Sequence, residues 1–113
     1  MAESCLFCRI VAKEIPAKIV AETADCVAFR DVNPQAPVHI LVVPRTHVPS
    51  LNEVTDPAIV GKLTQVATDL ARREGLAERG YRLVMNANAD AGQTVFHLHL
   101  HLLGGRKMNW PPG

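Results

Sequence analysis

The sequence has no strong charge of either sign, no long apolar run and few cysteines, and each absence excludes a class of protein. Twelve Lys and Arg stand against eleven Asp and Glu in 113 residues, so nothing in the charge favours binding to nucleic acid or to a membrane. No apolar run reaches the roughly 18 residues of a membrane span, and the first residues lack the regions of a signal peptide. We therefore expect a cytoplasmic protein.

The cysteines are three in number, and their spacing argues against a disulfide framework. Cys5 and Cys8 form a close pair, and Cys26 stands apart at the start of a predicted strand. An odd count with a close pair is typical of free thiols or metal ligands. We interpret Cys26 as a core residue. The length fits one domain, so residues 1–113 are predicted to form a single domain.

Apolar spacing and helix breakers predict two helices and five strands, which is an α+β fold. A short helix over 6–11 ends before Pro16, and a longer helix over 56–74 follows a capping box at 50–53. One stripe of the longer helix is apolar, so that face is expected to pack on the sheet. The predicted strands cover 18–22, 27–30, 38–43, 81–86 and 95–103.

The most specific pattern is in the last strand, where histidine occupies every second position. Side chains alternate between the faces of a strand, so His97, His99 and His101 are expected to share one face. The outer two would lie about 13 Å apart at Cα, which is awkward for three ligands of one metal and indicates different roles. The other face, expected to enter the core, consists of Phe96, Leu98, Leu100 and Leu102.

This strand and the loop before it can support nucleophilic attack on phosphorus. A neutral imidazole attacks without an activating base, and the central His99 is best placed to do so. It needs one tautomer, which a backbone carbonyl can enforce. The segment Gly92-Gln93-Thr94 offers backbone N–H groups and the Thr94 hydroxyl. These donors could stabilise the charge that develops on the phosphate oxygens.

A triad His-x-His-x-His followed by two apolar residues, here 97–103, resembles the histidine triad (HIT) superfamily. Segments 13–18, 29–39 and 103–113 match as well, and they are similar to the Hint branch of nucleotide-binding proteins. The resemblance implies a HIT-like fold with a five-stranded antiparallel sheet, one long helix and one short helix. It also implies a homodimer that joins two sheets into one of ten strands.

The activity implied by this resemblance is that of a purine nucleoside phosphoramidase. Such an enzyme hydrolyses the P–N bond of adenosine or guanosine 5′-phosphoramidates, including AMP-lysine, and needs no cofactor for catalysis. His99 would form a nucleotidyl-histidine intermediate, and His101 would contact the phosphate. His97 would act through its backbone carbonyl, and His39 is the fourth histidine beside the triad.

The same resemblance suggests how the substrate is bound. Asp31 matches the residue that binds the ribose hydroxyls, and Val32 matches an apolar contact to the base. Asn86, Gln93 and Thr94 match polar groups near the ribose and phosphate. Trp110, in the C-terminal tail, would reach toward the active site of the partner subunit.

A zinc site is the second site that the sequence suggests. Cys5 and Cys8 are soft ligands, and His47 with His97 could complete a tetrahedral Cys₂His₂ site. Some bacterial members of the superfamily resemble this arrangement, with a structural zinc near the triad. The alternative is a pair of reduced, partly buried thiols.

Two further functions remain open at the level of the sequence. The protein could be a nucleotide-binding interaction protein in which turnover is incidental, or a zinc-supported scaffold whose histidines are chiefly ligands. Hydrolysis of dinucleoside polyphosphates belongs to a sister branch with the same triad, and the ending over 110–113 argues against it.

Overall fold

In a computed structural model, which describes residues 4–113, five antiparallel strands form one sheet in the order β1-β2-β3-β5-β4. The helices α1 and α2 cover its two faces, as the alternating side chains of the central strands require. This confirms the predicted α+β fold with one short and one long helix. The bounds are α1 Leu6–Val11, β1 Ile19–Glu22, β2 Cys26–Arg30, β3 Val38–Pro44, α2 Ala58–Arg73, β4 Tyr81–Val84 and β5 Leu100–Gly104.

The long helix α2 packs its apolar stripe on one face of the sheet. Its buried residues occur at spacings of three and four along the chain, and together with one face of the central strands they form the larger core. Cys26 is buried in that core, as predicted. None of the helices in residues 4–113 is both long enough and apolar enough to cross a bilayer. The buried stripe consists of Leu63, Val66, Ala67, Leu70 and Ala71.

The capping box serves a different element from the one predicted. Ser50 accepts the Asn52 backbone N–H and donates its hydroxyl hydrogen to Glu53, and this closes a short 3-10 turn over Leu51–Glu53. The long helix begins later, where the Asp56 side chain accepts the Ala58 backbone N–H at 3.0 Å. The segment thus contains two successive turns, and the prediction that the capping box leads directly into the long helix is wrong.

The last strand is shorter than predicted, and this changes the setting of the histidines. Pairing of β3 with β5 ends where Val42 lies opposite Leu100, because Pro44 has no N–H to donate and its carbonyl is taken by the His97 ring. Residues 95–99 therefore precede the strand. β4 also ends early, at Val84 and not at Asn86.

The alternation of side chains is only partly as predicted. Leu98, Leu100 and Leu102 are buried in the larger core, which confirms that part of the pattern. Phe96 does not enter the core: it is 50% exposed, because the chain has not yet reached the sheet at that point. His97 and His99 lie on the opposite side, where their rings pack against Phe7 of α1.

Candidate active site

The candidate nucleophile, His99, lies just before β5 and is almost completely buried. Its Nδ1–H donates to the His97 carbonyl oxygen at 2.7 Å. Because a carbonyl oxygen only accepts, the hydrogen of the neutral ring is on Nδ1 and a lone pair remains on Nε2. Burial lowers the pKa of His99 below 6.5, although this hydrogen bond and the Asp31 charge oppose the shift. At pH 7 the ring is neutral with one bare nitrogen, as nucleophilic attack requires.

A chain of two hydrogen bonds holds His101 in the opposite tautomer. The Gln35 backbone N–H donates to His39 Nδ1 at 3.0 Å, which places the hydrogen of the neutral His39 ring on Nε2. That nitrogen lies 2.9 Å from His101 Nδ1 and donates to it, so His101 carries its own hydrogen on Nε2. The rings of His99 and His101 have centroids 5.0 Å apart. His99 offers a bare Nε2, and His101 offers an Nε2–H donor.

Burial keeps this group of imidazoles neutral. It is the largest cause that lowers the pKa of His101 to about 4, and the charges of protonated His99 and His39 lower it further. Burial also lowers the pKa of His39, and the carboxylate of Asp31, 3.4 Å from His39 Nε2, opposes that shift. The site can therefore accept a phosphate without a positively charged histidine.

A cavity of about 660 Å³ adjoins the His39 side of the site. Its volume lies in the range of pockets that hold small molecules of nucleoside size. Asp31 and Val32 both line it, which brings together the two residues predicted to contact ribose and base. Val32 is 98% exposed, so it presents a free apolar surface. The rest of the lining is Pro16, Ala17, Lys18, Arg30, Pro34, Pro37 and His39.

The loop before the triad offers fewer donors than its composition suggests. Gln93 donates both amide hydrogens, to the Pro49 and Val95 carbonyls, and its side-chain oxygen accepts the Asn88 N–H. The N–H groups of Gly92 and Gln93 also bind carbonyls within the loop. Thr94 is exposed, and its hydroxyl has no protein partner within residues 4–113. Among Gly92, Gln93 and Thr94, the Thr94 hydroxyl is therefore the side-chain donor that is left for a phosphate.

Two predicted contact residues make no hydrogen bond with the histidines within residues 4–113. Asn86 follows β4, is half-buried, and makes no hydrogen bond with the residues that the structure describes. Trp110 is 81% exposed, and its neighbour Asn109 is tied to β4 by a hydrogen bond of 2.9 Å from Arg82. The tail thus lies beside the edge strand of the sheet with its indole free.

Cys5, Cys8, His47 and His97 come together as the sequence predicted, and their donor atoms all lie within 4.8 Å of one another. His97 donates its Nε2–H to the Pro44 carbonyl at 2.8 Å, which leaves a lone pair on Nδ1. That nitrogen lies 3.3 to 3.4 Å from the other three donors. Ligands of a tetrahedral zinc with bonds of about 2.0–2.3 Å are separated by about 3.3–3.8 Å. Donor type, spacing and tautomer all fit zinc.

A second group, Asp31, His39 and His101, is as close together but does not fit a metal. A histidine binds a metal through a bare nitrogen. Here His39 Nε2 carries the ring hydrogen, because its Nδ1 accepts the Gln35 N–H. The 2.9 Å contact between the two imidazoles is accordingly a hydrogen bond.

Two residues of the site were missed as functional by the sequence reasoning. Phe7 was predicted only as an apolar residue of α1, but its ring packs edge-on against His99, with centroids 5.1 Å apart, and also contacts His97. Gln35 acts through its backbone N–H, which no side-chain pattern reveals. The position of Phe7 between the two cysteines was the available signal, since a metal bound there must bring it near His97.

Comparison with known proteins shows what this chain is similar to. The model of the HIT domain matches residues 12–108. The purine nucleoside phosphoramidase of Escherichia coli strain K12 is 46% identical over 110 residues, covering 96% of this chain and 92% of that protein.

Two solved structures have the same fold. A HIT family hydrolase from Legionella pneumophila is 51% identical, with a TM-score of 0.94 over 97% of this chain and 100% of its own. A zinc-bound histidine triad family protein from Mycobacterium smegmatis is 37% identical, with a TM-score of 0.84 over 94% of this chain and 78% of its own.

Proposed function

The chain belongs to the HIT domain family, and we propose that it is a purine nucleoside phosphoramidase that works through a nucleotidyl-histidine intermediate. The observation that carries this proposal is the pair of opposed tautomers, a bare Nε2 on His99 beside an Nε2–H on His101. Cleavage of a P–N bond uses both, because a lone pair must attack phosphorus and an N–H donor can stabilise the charge that develops on the departing nitrogen. The similarity to the Escherichia coli phosphoramidase supports the same substrate class.

In the first step, His99 Nε2 attacks the phosphorus of the substrate and the P–N bond breaks. The electron pair of that bond leaves with the amine, which takes a proton from a water molecule, while His101 keeps its Nε2 proton and donates it in a hydrogen bond to the departing nitrogen. Donation from His39 to His101 Nδ1 holds this proton on the side away from β3. The products of the step are a free amine and a nucleotidyl group bound to His99.

In the second step, water replaces His99 on phosphorus. Its oxygen attacks as the hydroxide left when the amine took its proton, and the nucleoside monophosphate leaves as His99 regains its lone pair. The Thr94 hydroxyl is the donor that we assign to the phosphate oxygens, because Gln93 is used in holding the loop. Both histidines are then in their starting tautomers.

Recognition of the nucleoside is assigned to the cavity beside His39. Asp31 Oδ1 accepts the Asn33 backbone N–H at 2.8 Å, which orients the carboxylate at the cavity wall. We assign the second carboxylate oxygen as the acceptor for the ribose hydroxyls. Val32 and the prolines of the lining offer apolar surface to a purine base. Asn86 is retained as a further polar contact.

We also propose that Cys5, Cys8, His47 and His97 bind one structural zinc. The fit of their donor atoms supports this, as does the zinc-bound Mycobacterium smegmatis relative. When bound, zinc would link α1 to the sheet and leave no open position for substrate. Because such a closed site takes no direct part in the chemistry, we propose that catalysis itself requires no cofactor. Three free cysteines suit the reducing cytoplasm in which we place the protein.

The partner that we propose is a second copy of the chain. β4 lies at the edge of the sheet, where its outer N–H and C=O groups are open to another strand. Two such edges side by side would make the ten-stranded sheet implied by the resemblance. The tail tied to β4 would then carry the free indole of Trp110 toward the other subunit. Sedimentation equilibrium should give twice the chain mass of 12.3 kDa.

Chemical rescue tests the proposed activity. Wild type should release AMP and GMP from adenosine and guanosine 5′-phosphoramidates, and His99→Gly should lose at least about 10³-fold of this rate. Free imidazole can enter the vacated space and attack phosphorus in place of the missing ring. It should therefore restore cleavage to His99→Gly and have no such effect on wild type, which is the control.

Two results would overturn the proposal. Equal rates for wild type and His99→Gly would mean that another group is the nucleophile. Tight nucleotide binding without hydrolysis by either protein would favour the nucleotide-binding interaction protein instead.

A further inference from the structure

The nucleophile of this site is held by contacts from outside the sheet. His99 precedes β5, so no ladder hydrogen bond between strands orients its backbone. Its tautomer depends on one acceptor, the His97 carbonyl. Whatever orients that carbonyl therefore controls which nitrogen of His99 is free.

The peptide between His97 and Leu98 is oriented from the 45–49 segment. The Leu98 N–H donates to the Val48 carbonyl at 2.7 Å. A trans peptide is planar, so its N–H and C=O point in opposite directions and rotate together. The Val48 contact thus aims the His97 carbonyl at the His99 ring.

The four metal-binding residues join the same pieces of chain. His47 is next to Val48, and its Nδ1 lies 3.3 Å from His97 Nδ1. Cys5 and Cys8 bring the start of α1 to the same ring, at 3.3 and 3.4 Å. The other His97 nitrogen donates to the Pro44 carbonyl. One ion would therefore tie His97 and the 45–49 segment into a single unit.

We propose that Cys5, Cys8 and His47 are positioning residues for the nucleophile. By holding zinc together with His97, they keep the 97–98 peptide in the orientation that fixes His99 as the Nδ1–H tautomer. Phe7, which lies between the two cysteines and packs edge-on against His99, couples the position of α1 to the same ring. The inference rests on the proposed function for the role of His99, but the tautomer itself is measurable without substrate.

The first test compares the full chain loaded with zinc and stripped by a chelator. Cys5 and His47 line an open groove of about 430 Å³, so the ligands are reachable without unfolding the protein. Long-range ¹H–¹⁵N NMR of the His99 ring should show only the Nδ1–H tautomer in the loaded protein. Stripping should make this hydrogen exchange with water about tenfold faster and populate the other tautomer, and zinc should reverse both changes. An unchanged ring signal in stripped, folded protein, or failure to bind one zinc per chain, would overturn the proposal.

Variants of single cysteines separate positioning from general stability. Cys8→Ser should behave like stripped protein, and Cys8→His, which restores a ligand, should return the loaded spectrum. Cys26→Ala is the matched control, because Cys26 is buried in the other core and lies outside the metal cluster. If Cys8→Ser fails to fold, the stripped and reloaded wild type still decides the question.

Kinetics supply the second readout. Without zinc, the rate of nucleotidyl transfer to the protein should fall about tenfold while KM changes little, because the nucleoside cavity is lined by other residues. A zinc-dependent tautomer in a protein that cleaves no phosphoramidate would refute the proposed function and support this inference. Cleavage of a phosphoramidate together with a His99 tautomer that does not depend on zinc would support the proposed function and refute this inference.

Discussion

The low pKa of His101 predicts a loss of stability in mild acid that is specific to this residue. Its folded pKa is about 4, against the ordinary 6.5 that the unfolded chain would show. Between these values the unfolded state binds a proton that the folded state does not, so the free energy of unfolding falls as pH decreases from about 6.5 to about 4. Below about 4 both states are protonated and the effect levels off.

The size of the effect follows from the shift. About 2.5 pKa units at about 1.4 kcal/mol each give an upper value of about 3 to 4 kcal/mol. The ring is partly exposed, and water reduces this figure to about 2–3 kcal/mol. Protonation is opposed first by burial and then by the charges of His99 and His39, while Asp31 favours it.

Urea unfolding at a fixed protein concentration measures the effect directly. We expect the free energy of unfolding of wild type minus that of His101→Asn to fall by about 2–3 kcal/mol between pH 7.5 and pH 4. The subtraction removes the contribution of groups that both proteins share. A difference that stays constant within about 0.5 kcal/mol over this range would refute the reasoning.

Three further predictions test separate parts of the site and fold. His39→Phe removes the donor to His101, so kcat for a phosphoramidate should fall about 10- to 100-fold. For a nitrophenyl ester, whose phenolate leaves without a proton, kcat should fall much less. Asp31→Asn keeps an oxygen for the Asn33 N–H, yet KM for a ribonucleotide should rise about tenfold, with little change for its 2′,3′-dideoxy analogue in the same assay. Gly104→Ala places a Cβ 2.6 Å from a buried Leu76 methyl carbon, so the free energy of unfolding measured in urea should fall by about 1–3 kcal/mol. An unchanged free energy of unfolding would show that Leu76 moves aside freely.

Periodicity was sufficient to predict the helices and the sheet. The stripe of α2 and the alternation of Leu98, Leu100 and Leu102 are consequences of burial on one face, which a sequence displays directly. The end of β5 was mispredicted because it depends on tertiary competition. Pro44 has no N–H for the ladder and its carbonyl binds a histidine ring, and neither fact is visible in the sequence around Phe96.

In the site as well, features carried by nearby residues were predicted, and features set by distant parts of the chain were not. The triad and the paired cysteines were singled out by their spacing, and Asp31 by the resemblance to the family, because in each case the chemistry is carried by side chains. The roles of the individual nitrogens were not, because they are set by the backbone at Gln35 and Pro44, far away in the chain. Gln93 was predicted as a contact to the substrate from its side chain. In the structure its amide instead forms hydrogen bonds that hold the loop.

Covalent attachment of the nucleotide to His99 is the central claim, and rapid mixing with intact-mass spectrometry tests it most directly. The protein would be mixed with adenosine 5′-phosphoramidate, quenched in base to preserve a P–N bond, and then mapped by peptide. We predict a transient mass increase of one adenylyl group on the peptide that contains His99, appearing before AMP and absent from His99→Ala. Release of AMP with no adduct at any time, or an adduct that persists in His99→Ala, would contradict the account.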